Sequence, residues 1–137
     1  MNPNLLFVYG KLRRTAPSPM RELVDQNLPL VSQAYARGYV YDIGGYPGLK
    51  FNLNGQKVWG EVLRLPDDPR PILEALDRYE RFESGYHEPY EYVRQVKKVF
   101  NVETGEPIEV WVYEYNWPVQ GKLAIASGDW LKHIGLR

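Results

Sequence analysis

Two alternating segments joined by a polar turn do most to restrict the fold. Between Tyr90 and Phe100, Val93, Val96 and Val99 are interleaved with Tyr92, Gln95 and Lys97. From Ile108 to Tyr115 the chain reads IEVWVYEY, with Ile108, Val110 and Val112 on one face. A period of two is the mark of a half-buried strand. The intervening NVETGEP, Asn101 to Pro107, carries the glycine and proline of a turn, so the pair predicts an antiparallel hairpin. A chain with such a hairpin has a sheet to cover.

The other segments supply the rest of that sheet. Leu5 to Tyr9 (LLFVY) is an unbroken apolar run of β-formers, the pattern of a buried strand. Ala34 to Tyr41 alternates around Gly38, and Val58 to Leu65 is a further strand around Gly60. Glycines inside strands suit a bulge or a close approach in a bent sheet. A short helix is predicted from Met20 to Asn27, with Met20, Leu23 and Val24 on one face. The clearest helix runs from Pro66 to Phe82, with Asp68 as its cap and Pro69 at the first helical position. A last short helix is expected around Ala124 to Trp130. About six strands, few helices and no regular βαβ alternation predict an α+β fold: a small mixed-strand β-barrel flanked by short helices, in one domain over residues 1–137.

Composition narrows the partners. Lysine plus arginine equals aspartate plus glutamate at 17 each, so no general field draws nucleic acid or an acidic membrane, and a small molecule or a protein is expected instead. Eleven tyrosines favour strands and pocket walls with polar tips. With no cysteine there is no disulfide, thiol nucleophile or thiolate metal site. His87 and His133 stand far apart, which argues against a metal site. No apolar stretch approaches the roughly 20 residues of a membrane span. No signal-peptide pattern opens the sequence, and the default expectation is a cytoplasmic protein.

Three places carry candidate chemistry. Gly10 ends the first strand and Lys11, Arg13 and Arg14 follow at once. Such a turn either forms an anion-binding concavity of peptide N–H groups aided by cations, or is simply a strand ending in solvated residues. Asp42 to Leu49 (DIGGYPGL) holds three glycines and a proline in eight residues, enough to wrap backbone around a ligand or to form an irregular surface loop. On the long helix, at about 100° per residue, Glu80 falls between Leu73 and Leu76, inside the apolar arc. A carboxylate turned inward has its proton affinity raised and is a candidate general base. The alternative is a frayed helix end where Glu80 reaches water or an arginine. Glu83 is the rival acid.

Several of these stretches occur together, in order: VYGKLR at Val8 to Arg13, YDIGGYPGL at Tyr41 to Leu49, VWGEVLRL at Val58 to Leu65, LDRYE at Leu76 to Glu80, VWVYEYN at Val110 to Asn116 and SGDW at Ser127 to Trp130. The set resembles the γ-glutamylcyclotransferase-like family, in the branch of the γ-glutamylamine cyclotransferases and AIG2-like proteins. The resemblance implies a small barrel of mixed strands with flanking helices. It implies an enzyme without a cofactor, releasing 5-oxoproline and a free amine from a γ-glutamyl amide or peptide. Tyr9, Gly10, Lys11 and Leu12 would hold the substrate's α-carboxylate, Gly45 and Tyr46 would border the same cavity, and Glu80 would be the catalytic glutamate. A non-catalytic module that binds a small acid, or a protein-interaction domain, remains the alternative on the same fold.

Overall fold

The predicted hairpin forms. Strand β5 (Tyr92–Asn101) runs antiparallel to β6 (Pro107–Tyr115), with Tyr92 opposite Tyr115 and Val99 opposite Ile108. Asn101 Oδ1 accepts from the N–H groups of Glu103 and Thr104 at 2.8 and 3.2 Å and so holds the turn. The computed structural model describes residues 3–10, 13, 20–80 and 89–135.

Strand β1 (Leu5–Val8) lies between β6 and β4 (Gln56–Arg64), parallel to the first and antiparallel to the second. Both of its faces are covered, which is why it reads as an unbroken apolar run. Phe7 faces a cluster with Val62, Val110 and Val112, whereas Leu6 and Val8 face one that holds the helix side chains. Strand β2 (Leu30–Asp42) pairs with β4 and, at Ala34 and Tyr35, with β5. That second pairing closes the ring β2–β4–β1–β6–β5, a five-stranded mixed barrel. Gly38 and Gly60 sit at close approaches. A methyl group on Gly60 would lie 2.4 Å from the Val8 carbonyl oxygen, and one on Gly38 would lie 2.1 Å from that of Lys50.

Two strands escape the sequence reading. Asp42 to Leu49 is not one long loop: Pro47–Phe51 is strand β3, a hairpin partner of β2, and the connection is only residues 43–46. Proline opens β3 without loss because the first residue of an edge strand needs no ladder N–H. The helix expected around Ala124 to Trp130 begins later. Leu123–Ala124 is a short strand, β7, on Tyr41 and Asp42. Asp129 accepts from Lys132 N at 3.2 Å as an N-cap, so helix α3 is Trp130–His133.

The other helices are shorter than predicted. Helix α1 is Arg21–Asn27, with Met20 as its flanking residue; Val24 is buried and Met20 and Leu23 pack beside it. Helix α2 is Arg70–Tyr79. Its first bond runs from Leu73 N to the Pro69 carbonyl, which places Pro69 just outside the helix rather than at its first turn. Ile72, Leu73 and Leu76 join the cluster of Leu6, Val8 and Leu63 and dock α2 on the outside of the barrel. The predicted extension to Phe82 lies outside the described residues. No helix among the described residues is long and apolar enough to cross a membrane.

Candidate active site

Strand β1 delivers Tyr9 and Gly10 to one end of the barrel, and the last turn of α2 delivers Glu80 to the same place. Between them is a cavity of about 280 Å³. Its wall includes Tyr9, Gly10 and Glu80, Tyr46 and Pro47 from the turn before β3, and Glu91 and Tyr92 at the start of β5.

Glu80 faces this cavity for the reason the helix pattern implies. Three residues carry the inward arc of α2, and the next turn of that arc falls on Glu80 just as the helix ends, with Glu80 N bonded to the Leu76 carbonyl at 2.8 Å. Part of its surface is open to the cavity, yet protein crowds the carboxyl, and burial is the main cause that pushes it up to about 8. The Glu91 carboxylate adds to the rise. At neutral pH such a group holds its proton and exchanges it readily just above.

The tyrosines form a braced wall. The Tyr9 hydroxyl donates to the Tyr113 carbonyl at 2.6 Å and accepts from Leu49 N at 3.4 Å. Tyr92 donates to the Pro47 carbonyl at 2.5 Å, and Tyr113 donates to Asp77 Oδ1 at 2.5 Å. Asp77 is itself gripped by Arg94 through two bonds, at 2.8 and 3.0 Å. Burial, reinforced by nearby carboxylates, pushes Tyr9, Tyr92 and Tyr113 far above the ordinary phenol range, so all three stay neutral.

Gly10 earns its place by contact. A methyl group there would meet Pro47 Cγ at 2.6 Å, and Pro47 cannot swing away while Tyr92 holds its carbonyl. Gly10→Ala is therefore expected to destabilise the fold by about 1–3 kcal/mol, as overpacking does. Urea unfolding measures this, and a variant as stable as the parent would mean that the turn yields.

The sequence-predicted residues do not all meet. Tyr9, Gly10, Tyr46 and Glu80 line one cavity. Gly45 stands in the turn behind Tyr46. Gly44 and Gly45 have positive φ, and their N–H groups donate to Asp42 Oδ1 at 3.1 and 2.9 Å. His133 meets the other oxygen of Asp42 at 2.9 Å. These contacts, that of Gly45 first, hold the Asp42 carboxyl below its usual range. Lys11, Leu12, Arg14, Glu83 and His87 lie outside the described residues.

Arg13 requires a correction. It is not a cation at an anion site but a buried side chain, 1% exposed, whose guanidinium meets Asp129 Oδ1 at 2.9 Å and lies 3.9 Å from Glu61. Glu91, Tyr92 and Tyr113 are site residues that the pattern of the sequence does not single out. Their one signal is the excess of tyrosine in strands.

The sequence profile described as "Gamma-glutamyl cyclotransferase, AIG2-like" matches residues 6–132. Gamma-glutamylcyclotransferase family protein YtfP of Escherichia coli is 34% identical over 127 residues, covering 92% of this chain and 95% of its own length. The solution structure of that protein superposes with a TM-score of 0.63 at 30% identity, over 95% of this chain and 98% of its own. YkqA of Bacillus subtilis superposes with a TM-score of 0.68 at 27% identity, and this chain, 97% covered, spans 41% of YkqA. A mouse AIG2-like protein shares the fold, with a TM-score of 0.64 at 21% identity over 88% of this chain and 82% of its own. With nearly the whole chain matched and the mixed barrel reproduced, this protein belongs to the AIG2-like gamma-glutamyl cyclotransferase family.

Proposed function

We propose that the protein is a γ-glutamylcyclotransferase, which cleaves a γ-glutamyl amide or peptide to 5-oxoproline and a free amine. The observation that carries this reading is the Glu80 carboxyl, turned into the cavity that Tyr9 and Gly10 also line, in a chain of this family. The α-carboxylate is assigned to Tyr9, Gly10, Lys11 and Leu12, with Tyr46 bordering the same cavity. The substrate's α-ammonium gives a proton to the Glu80 carboxylate, and the free amine attacks the γ-carbonyl carbon. A ring C–N bond forms, the tetrahedral intermediate collapses, and the original γ-amide C–N bond breaks. Glu80 returns that proton to the departing nitrogen and takes the second proton from the ring nitrogen, which then leaves with the amine as its ammonium or passes to solvent. No water is consumed and no cofactor enters the balance.

An intramolecular attack needs mainly the right substrate shape, and the braced tyrosine wall suits that task. The site supplies a base with proton affinity near that of the amine it must deprotonate, which favours transfer in both directions. Because the base form of Glu80 is required, the rate is expected to rise with pH up to and through about 8.

The test is release of 5-oxoproline and amine, in equal amounts, from a panel of γ-glutamyl amides and peptides. Binding of a γ-glutamyl compound by calorimetry without any turnover would overturn the enzymatic reading in favour of a small-acid binding module.

A further inference from the structure

The cavity holds a second carboxylate, Glu91, and the wall is built to keep it in place. Its residue is only 8% exposed. The Tyr46 hydroxyl donates to Glu91 Oε2 at 2.5 Å. The backbone is strapped on both sides. Asn116 N donates to the Glu91 carbonyl at 2.7 Å, Asn116 Nδ2 to the Tyr90 carbonyl at 3.0 Å and Trp117 Nε1 to the Pro89 carbonyl at 3.0 Å. Four bonds therefore fix where this carboxylate sits. No lysine or arginine is on the described cavity wall to neutralise it.

We propose that Glu91 is a positioning residue for Glu80: its negative charge, held on the same cavity wall, adds to the effect of burial and biases the Glu80 carboxyl toward holding its proton. The proposal deepens the cyclotransferase reading and rests on it for its use. Like charges in a poorly solvated site cannot both ionise cheaply, so the one better supplied with hydrogen-bond donors keeps its charge. Glu91 has the Tyr46 hydroxyl as its donor. Among the described residues, the neighbouring titratable groups contribute no competing charge. Tyr9, Tyr92 and Tyr113 stay neutral, and Asp77 on α2 is matched by Arg94. The effect of burial on Glu80 agrees in direction, and the influence of Glu91 adds to it.

The test follows the side-chain carboxyl resonances of glutamate-labelled protein through a pH titration, with Glu80 assigned by its loss in Glu80→Gln. In the unmodified protein Glu80 is expected to titrate at about 8. In Glu91→Gln, which keeps an acceptor for Tyr46, the Glu80 titration falls by about one pH unit, the size of one like-charge neighbour. Glu91→Asp keeps the charge and returns the titration toward the parent. The acid limb of kcat/KM for 5-oxoproline release moves with it. A Glu80 titration unchanged in Glu91→Gln overturns the proposal. The titrations need no substrate, so a coupled pair in a protein that releases no 5-oxoproline refutes the cyclotransferase reading alone.

Discussion

Glu80→Gln is expected to lower 5-oxoproline formation on the order of 10²–10⁴-fold while substrate binding changes little. Glutamine keeps the size and polarity of the side chain and removes only its capacity to take a proton. The substrate's α-carboxylate is assigned to a different part of the wall, so calorimetric affinity should hold. Glu74→Gln, an exposed position on the same helix, is the control and should retain parental turnover. Equal activity in Glu80→Gln and the parent would sink the mechanism. The same substitution has a second, opposite effect on stability. Glu80 is raised from an ordinary 4.5 to about 8 in the fold, so the folded chain holds a proton that the unfolded chain has released. Stability therefore declines as pH rises between those values, and Glu80→Gln escapes the decline. Unfolding midpoints measured across that window should be flatter for the variant.

Arg13→Met is expected to destabilise the protein by about 3–5 kcal/mol, the range for a buried ion pair that loses one partner. The Arg13 side chain is 1% exposed, with Asp129 and Glu61 at 9% and 7%, so removing its guanidinium takes a counter-charge away from two buried carboxylates. Asp129 is also the cap of α3, where Trp130 and Leu131 enter the barrel core, so its displacement reaches the packing. Urea unfolding at neutral pH is the measurement. Arg70→Ala is the comparison: its pair with Asp68 is exposed and should matter little. An Arg13→Met protein as stable as the Arg70→Ala protein would show that Arg13 carries no such burden.

The strands were legible wherever a face had a period or a run had no polar residue. Val110 and Val112 pointed inward as their alternation requires, and Leu6 to Val8 were buried on both sides as an unbroken apolar run requires. The short pieces were not. Pro47–Phe51 and Leu123–Ala124 are strands only because β2 is long enough to offer them edges, and a two-residue strand has no period to read. Arg13 shows the same limit for charge. One arginine in a basic stretch reads as solvated, and only the return of residue 129 from the far end of the chain makes it a buried partner.

For the site, the sequence by itself determined which side of α2 Glu80 occupies, because a helix's angular spacing is set by local backbone geometry. It also determined that the first apolar run stops at Gly10, although the strand itself ends at Val8. It could not determine that these two points share a cavity with Tyr46 and Glu91. Those juxtapositions depend on closing the barrel through β2 and β5 and on strapping residues 89–91 to the exit of β6. Both are contacts between residues distant in sequence, whose distances come from packing and not from spacing along the chain. The proton affinity of Glu80 belongs with them, since burial and a neighbouring charge are properties of the assembled wall.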